Sequence, residues 1–95
     1  MATKAITFTV TPTVKISGFW IAVGNRDVPL ADGVGRLSLN VGVEYALFWH
    51  MVGNGGGSIG IVGKDAAGNE AVTLKQSTIQ AGRTAGAGFM WFTVS

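Results

Sequence analysis

Leu37, Leu39, Val41, Val43, Tyr45, Leu47, Trp49 and Met51 occupy successive odd positions of the chain. A period of two is the mark of a strand with one buried face. Ser38, Asn40, Gly42, Glu44 and His50 fall between them and are mostly polar, whereas Ala46, Phe48 and Val52 break the alternation late. The run halts at Gly53-Asn54-Gly55-Gly56-Gly57 and resumes at Ile59 and Ile61. It predicts a core strand, a glycine loop and a return strand, a central hairpin that the rest of the chain must pack around.

The flanking segments read the same way. From Lys4 to Val10, Ile6, Phe8 and Val10 alternate with Ala5, Thr7 and Thr9, a half-buried strand that Pro12 should end because proline has no donor for a ladder. Val14 to Val23 starts in phase with Val14 and Ile16 inward, then blurs at Phe19, Trp20, Ile21 and Val23. A bulge at Gly18 would account for the change, as would burial on both faces. Gly24 to Gly35 is rich in turn formers (Asn25, Asp27, Pro29, Asp32-Gly33) and is expected to be a solvated connection. Lys64 to Glu70 is a turn into a strand from Ala71 to Ile79, and Gln80 to Gly88 reads as a small-residue linker. Phe89 to Val94 is apolar on both faces, which predicts a central strand or one covered by a partner.

No segment carries a helical period. About six to eight strands with regular turns predict a single all-β domain over 1–95, an antiparallel β-sandwich of immunoglobulin-like or jelly-roll-like form. Charged residues make up 13% of the chain and hydrophobic ones 47%, so there is little charge with which to cover the surface of so small a domain. Apolar area buried against another chain is the expectation, hence a homo-oligomer or a larger assembly. The seven Lys and Arg residues are scattered and none adjoins another. Nucleic-acid binding needs a basic stripe, and is not expected. No stretch approaches the length of a membrane helix and the N-terminus has no signal-peptide pattern, so no membrane insertion is expected, and the location expected is cytoplasmic or virion-associated. With no cysteine, stability must come from packing or assembly.

Leu39-Asn40-Val41-Gly42-Val43-Glu44-Tyr45 has the form L-x-x-G-x-x-Y. It resembles the tyrosine corner of immunoglobulin-like and fibronectin type III sandwiches. The resemblance implies that the Tyr45 hydroxyl bonds back to the preceding backbone, with Leu39 as core anchor and Gly42 in the tight turn. Asp65-Ala66-Ala67-Gly68-Asn69 is similar to the D-x-A-G-N hairpin of bacterial immunoglobulin-like adhesin repeats. Val41 stands where the corner of those families has proline, and no disulfide pair exists. The resemblance therefore implies a sandwich and carries over no binding residues.

Catalytic and metal motifs are not supported. Gly55-Gly56-Gly57-Ser58-Ile59-Gly60 satisfies G-x-G-x-x-G, but a dinucleotide site needs a helix to start there and Ile61-Val62-Gly63 continues as strand. His50 is the only histidine. A triad with Ser58 or Ser77 and Asp65 has no support in the spacing, and a lone histidine without cysteine is a poor metal site. Asp27, Asp32, Asp65 and Glu70 lack the spacing of a calcium loop. The expectation is a non-enzymatic module without cofactor or metal.

Two functions lead, and a hydrolase using His50 ranks third behind them. The first is a structural or adhesion module acting by self-assembly or protein association, for example a phage or virion component. The alternative is a carbohydrate-binding module in which Trp20 or Trp91 stacks on a sugar, with Arg26, Asp27, Asn54 and His50 as polar neighbours. Trp49, in phase with Leu47 and Met51, is expected in the core, while both chain neighbours of Trp20 and of Trp91 are apolar, so the sequence leaves their direction open.

Overall fold

The N-terminal alternation becomes β1 (Thr3–Pro12), with Ile6, Phe8 and Val10 buried. In this computed structural model, which describes residues 2–95, it is followed by β2 (Ile16–Val23), β3 (Arg26–Asp27), β4 (Val34–Asn40), β5 (Glu44–Gly53), β6 (Ser58–Lys64), β7 (Glu70–Thr78) and β8 (Ala85–Thr93). The strands form two antiparallel four-stranded sheets, β4-β1-β6-β7 and β3-β2-β5-β8. No helix occurs among the described residues. The fold is an all-β sandwich, as the alternation requires. Met1 lies outside the described residues.

The inward faces meet in one core. Ile6, Phe8, Leu37, Leu39, Ile59 and Ile61 come from the first sheet, and Ile21, Val23, Leu47, Trp49, Met51 and Phe92 from the second. Three further core residues, Val28, Ile79 and Val94, lie outside the strands. Trp49 fills the space between the sheets and its Nε1–H donates to Ser77 Oγ of β7 at 3.0 Å, so the one polar atom of its ring is satisfied across the sandwich.

The predicted continuous strand from Leu37 is broken at Val41-Gly42-Val43. The chain leaves β4 in one sheet and enters β5 in the other, so both ends keep their odd residues inward although they belong to different sheets. Gly42 makes the turn at φ 82°, where a side chain would be strained. The Tyr45 hydroxyl accepts the Asn40 N–H at 2.8 Å and its ring lies 6.0 Å from that of Phe92. The bond ties the start of β5 to the end of β4 and so clips the sheets together.

Four other expectations are corrected. β5 and β6 do not form a hairpin, because after the glycine loop β6 crosses to the opposite sheet and pairs with β1 and β7. Ala85 to Gly88 is strand rather than linker: Gly86 and Gly88 oppose Met51 and Trp49 in register. A Cβ on Gly88 would stand 2.5 Å from Trp49 Cζ2, so the indole lies flat over a position that must have no side chain. Of the two positions expected for the C-terminal strand, central or covered by a partner, the first is excluded, because β8 is the edge of its sheet. The penultimate strand ends at Thr78, and Ile79 is buried from the following loop.

Two further features match. The ladder between β2 and β5 shifts between Ile16 and Gly18, the irregularity expected there, after which Phe19, Ile21 and Val23 face in and Trp20 and Ala22 face out. At the β6–β7 turn, Asp65 Oδ1 accepts the N–H groups of Ala67 and Asn69 at 3.0 and 2.9 Å.

Candidate functional site

The outer face of the β3-β2-β5-β8 sheet gathers the exposed aromatics. In β5 the even residues point outward, and in β8 the odd ones do, because the two strands pair in register from Glu44–Thr93 to Val52–Ala85. Phe48 therefore sits opposite Phe89, with ring centroids 5.9 Å apart, and Ala46 sits beneath Trp91. On the other flank Trp20 opposes His50 and stacks on it at 5.3 Å with an interplanar angle of 26°. Phe89 meets Trp91 edge to face at 6.3 Å.

These contacts make a pair, Trp20–His50, and a triad, Phe48–Phe89–Trp91, and the two stand side by side on β5, where His50 and Phe48 are successive outward residues, so that five rings form a band across three strands. Small residues (Gly18, Ala22, Ala46, Ala87) fill the spaces between them. Trp20 is 56% exposed, Phe48 43%, Phe89 58% and Trp91 60%. Such fractions mean that the rings lie on the surface rather than at the margin of the core. Formal charge is confined to the rim, with Glu44 at the start of β5 and Asp27 beside Ala22 on β3. From the apolar area of an aromatic side chain, Trp20, Phe48, Phe89 and Trp91 together present roughly 500 Å² to solvent. A patch of that size falls in the upper part of the range of about 300–600 Å² found for the largest apolar patch of a monomeric domain.

The candidate residues separate into three places. Trp20, His50 and Trp91 are on the aromatic face, with Asp27 at its edge. Arg26 opposes the inward-facing Val23, and its Nη1 reaches across to the Ser38 carbonyl of β4 at 3.1 Å, so it closes the flank of the sandwich. Asn54 lies in the loop after β5, its N–H bonded to the Lys15 carbonyl at 3.0 Å. Arg26 aligns with Leu47 through Val23, so Arg26 and Asn54 are about 23 Å apart along the sheet at the rise of a strand. Leu39, Gly42, Tyr45 and Trp49 hold the corner and the core described above.

Phe48 and Phe89 complete the face and are not among the candidates read from the sequence. Their phase was the available signal: Phe48 shares the even side of its strand with Glu44 and His50, and Phe89 shares the odd side of its own with Trp91. His50 is remote from Ser58, Ser77 and Asp65, which all belong to the opposite sheet or its turns. Among the described residues no group of three or more His, Cys, Asp or Glu side chains could hold a metal ion. Among the described residues the titratable group clearly displaced from its ordinary value is Asp65, whose carboxyl is held low first by the Asn69 N–H, then by the Asn69 side chain, the Ala67 N–H and the Lys4 ammonium at 3.5 Å.

The chain matches no protein-family model, no curated protein and no solved structure.

Proposed function

We propose that this protein is a non-enzymatic structural or adhesion module that works by association through the aromatic face, with copies of itself or with a larger particle of the phage or virion kind. The observation that carries the reading is the band of five rings on a sheet face that has no formal charge except at its rim. Desolvating roughly 500 Å² of ring surface is worth on the order of 12 kcal/mol before the costs of association are subtracted. Those costs are about 4–15 kcal/mol, so the face alone supports a weak complex and a larger contact supports a firm one. The immunoglobulin-like affiliation is part of the same proposal and draws support from the Tyr45–Asn40 bond and the Asp65–Asn69 turn.

The test is sedimentation velocity from micromolar to millimolar protein, with the wild type beside a Phe48→Ser/Trp91→Ser variant. Association that grows with concentration and is lost in the variant supports the reading. Identical behaviour of the two refutes it.

Carbohydrate binding is the second reading, favoured by one observation. Trp20 flanks a surface cleft lined also by Phe19, Asp27, Val28, Pro29 and Leu30, which sets a stacking ring beside a carboxylate. A Trp20→Ala variant that binds a glycan panel as the wild type does would eliminate it.

A further inference from the structure

Sandwich proteins must protect the edges of their sheets, and three of the four edges here are protected. β3 is two residues long, is soon followed by Pro29 and covers only Ala22 and Val23 of β2, whose remaining open length is short and is broken by the register shift between Ile16 and Gly18. β4 carries Arg36, and its Ser38 carbonyl is occupied by the Arg26 guanidinium. β7 carries Glu70 and Lys75, and its ladder shifts register twice. The fourth edge, β8, is nine residues long, with no charge, no proline and no register shift against β5.

The hydrogen bonds show which groups that edge offers. Gly53 N–H bonds to the Thr84 carbonyl at 3.0 Å and Val94 N–H to the Val43 carbonyl at 3.3 Å. Bonded pairs alternate along an antiparallel ladder, so the even residues of β8 bond to β5. The N–H and C=O groups of Ala85, Ala87, Phe89, Trp91 and Thr93 consequently point away from the sheet, along the open edge.

We infer that β8 pairs antiparallel with β8 of a second copy, about a two-fold axis at Phe89, joining two four-stranded sheets into one of eight strands. This deepens the association reading and rests on it. The occupant is identified by the strand itself. In that register Ala85 faces the second copy's Thr93, and Ala87 faces its Trp91. On the inner side Gly86 faces Phe92 and Gly88 faces Met90. Ala85-Gly86-Ala87-Gly88 is the small half of the strand and Met90-Trp91-Phe92-Thr93 the large half, so the two-fold sets small against large at every pair except Phe89 on itself. All the outward groups of both strands are satisfied, about ten hydrogen bonds in all. With no charge on the strand, no like charges are opposed. Burial of about 50 Å² per paired residue on each copy gives roughly 900 Å² in total, close to the lower bound of a specific interface, so the dimer is concentration-dependent. The aromatic bands of the two copies become continuous across the axis.

The experiment is amide hydrogen exchange by NMR at micromolar and millimolar protein, run beside sedimentation velocity. Expected are a rise in sedimentation with concentration and at least a tenfold slowing of exchange at Ala85, Ala87, Phe89, Trp91 and Thr93, the even amides being protected at both concentrations. A rise in sedimentation without slowing at those odd amides overturns the edge pairing and leaves association through the face standing. No concentration dependence in either measurement overturns both. The register has its own test, since the chain has no cysteine. Phe89→Cys places two thiols across the axis at a Cα separation of about 5.5 Å, whereas Ala87→Cys places them about 13 Å apart along the strands. Preferential cross-linking of Phe89→Cys by the shortest bis-maleimide is expected, and equal rates overturn the two-fold.

Discussion

Gly88→Ala sets two physical effects against each other, and their magnitudes decide the sign. Glycine inside a strand is entropically unfavourable, so replacement by alanine should gain about 0.5–1 kcal/mol on conformational grounds. In this fold the new Cβ would lie 2.5 Å from Trp49 Cζ2 and 2.8 Å from Cε2. Neither atom is the end of a flexible chain. Both belong to a rigid indole packed between the sheets, 8% exposed and held at Nε1 by Ser77. The ring has to shift. Overpacking of a filled core costs about 1–3 kcal/mol, and weakening the indole bond to Ser77 adds about 1 kcal/mol. The net expectation is a loss of about 2 kcal/mol, or roughly 8–16 °C in Tm for a domain of this size. Urea denaturation followed by far-UV circular dichroism measures it, and the same substitution in a Trp49→Leu background completes the cycle. With the indole gone, Gly88→Ala should be neutral or stabilising. A single variant as stable as the wild type, or a cost that persists without Trp49, would refute the account of β8 as a strand whose glycines exist to receive Trp49 and Met51.

Two other perturbations follow from the corner and the β6–β7 turn. Tyr45→Phe removes the acceptor for the part-buried Asn40 N–H, so thermal or urea unfolding should show a loss of about 1–2 kcal/mol with the aromatic face unaltered. For Asp65 the folded pKa is depressed, chiefly by the Asn69 N–H, so the unfolded chain takes up its proton at higher pH than the native state does. The stability it confers is complete above the unfolded value and is lost as the pH falls through the folded one. Asp65→Asn should accordingly melt below the wild type at neutral pH, and the gap should close as the pH falls through and below the ordinary carboxylate range in a pH series of melting curves; a gap that is constant with pH would contradict the assignment.

The local chemistry of the chain was legible wherever it acts between neighbours. A period of two assigns a face to each residue without knowledge of the partner strand, and so Ile6, Phe8, Leu39, Leu47, Trp49 and Met51 were recognisable as inward. The same holds for the corner, where acceptor and donor are five residues apart, and for the Asp65 turn, which closes on itself. The site was half legible. Trp20, His50 and Trp91 drew notice as residue types, yet an apolar residue on an outer face has the same letter as one in the core. Their common face depends on the pairing of β2, β5 and β8.

The sequence by itself determined the class of fold, the corner that joins β4 to β5 and most of the inward residue set, with the exception of Val14, which was expected inward and is fully exposed because β2 begins only at Ile16. Tertiary structure alone decided which sheet each strand joins, because those hydrogen bonds link segments far apart in the chain and the backbone groups that form them are the same in every residue. It sent β6 across to β1 although a glycine loop suggested a hairpin. It turned the apparent linker at Ala85–Gly88 into strand, since the reason for glycine there is the ring of Trp49, which the sequence places far upstream. It also brought Phe48 from one strand beside Phe89 from another, and a surface made by side-by-side strands comes into being only once their register is set.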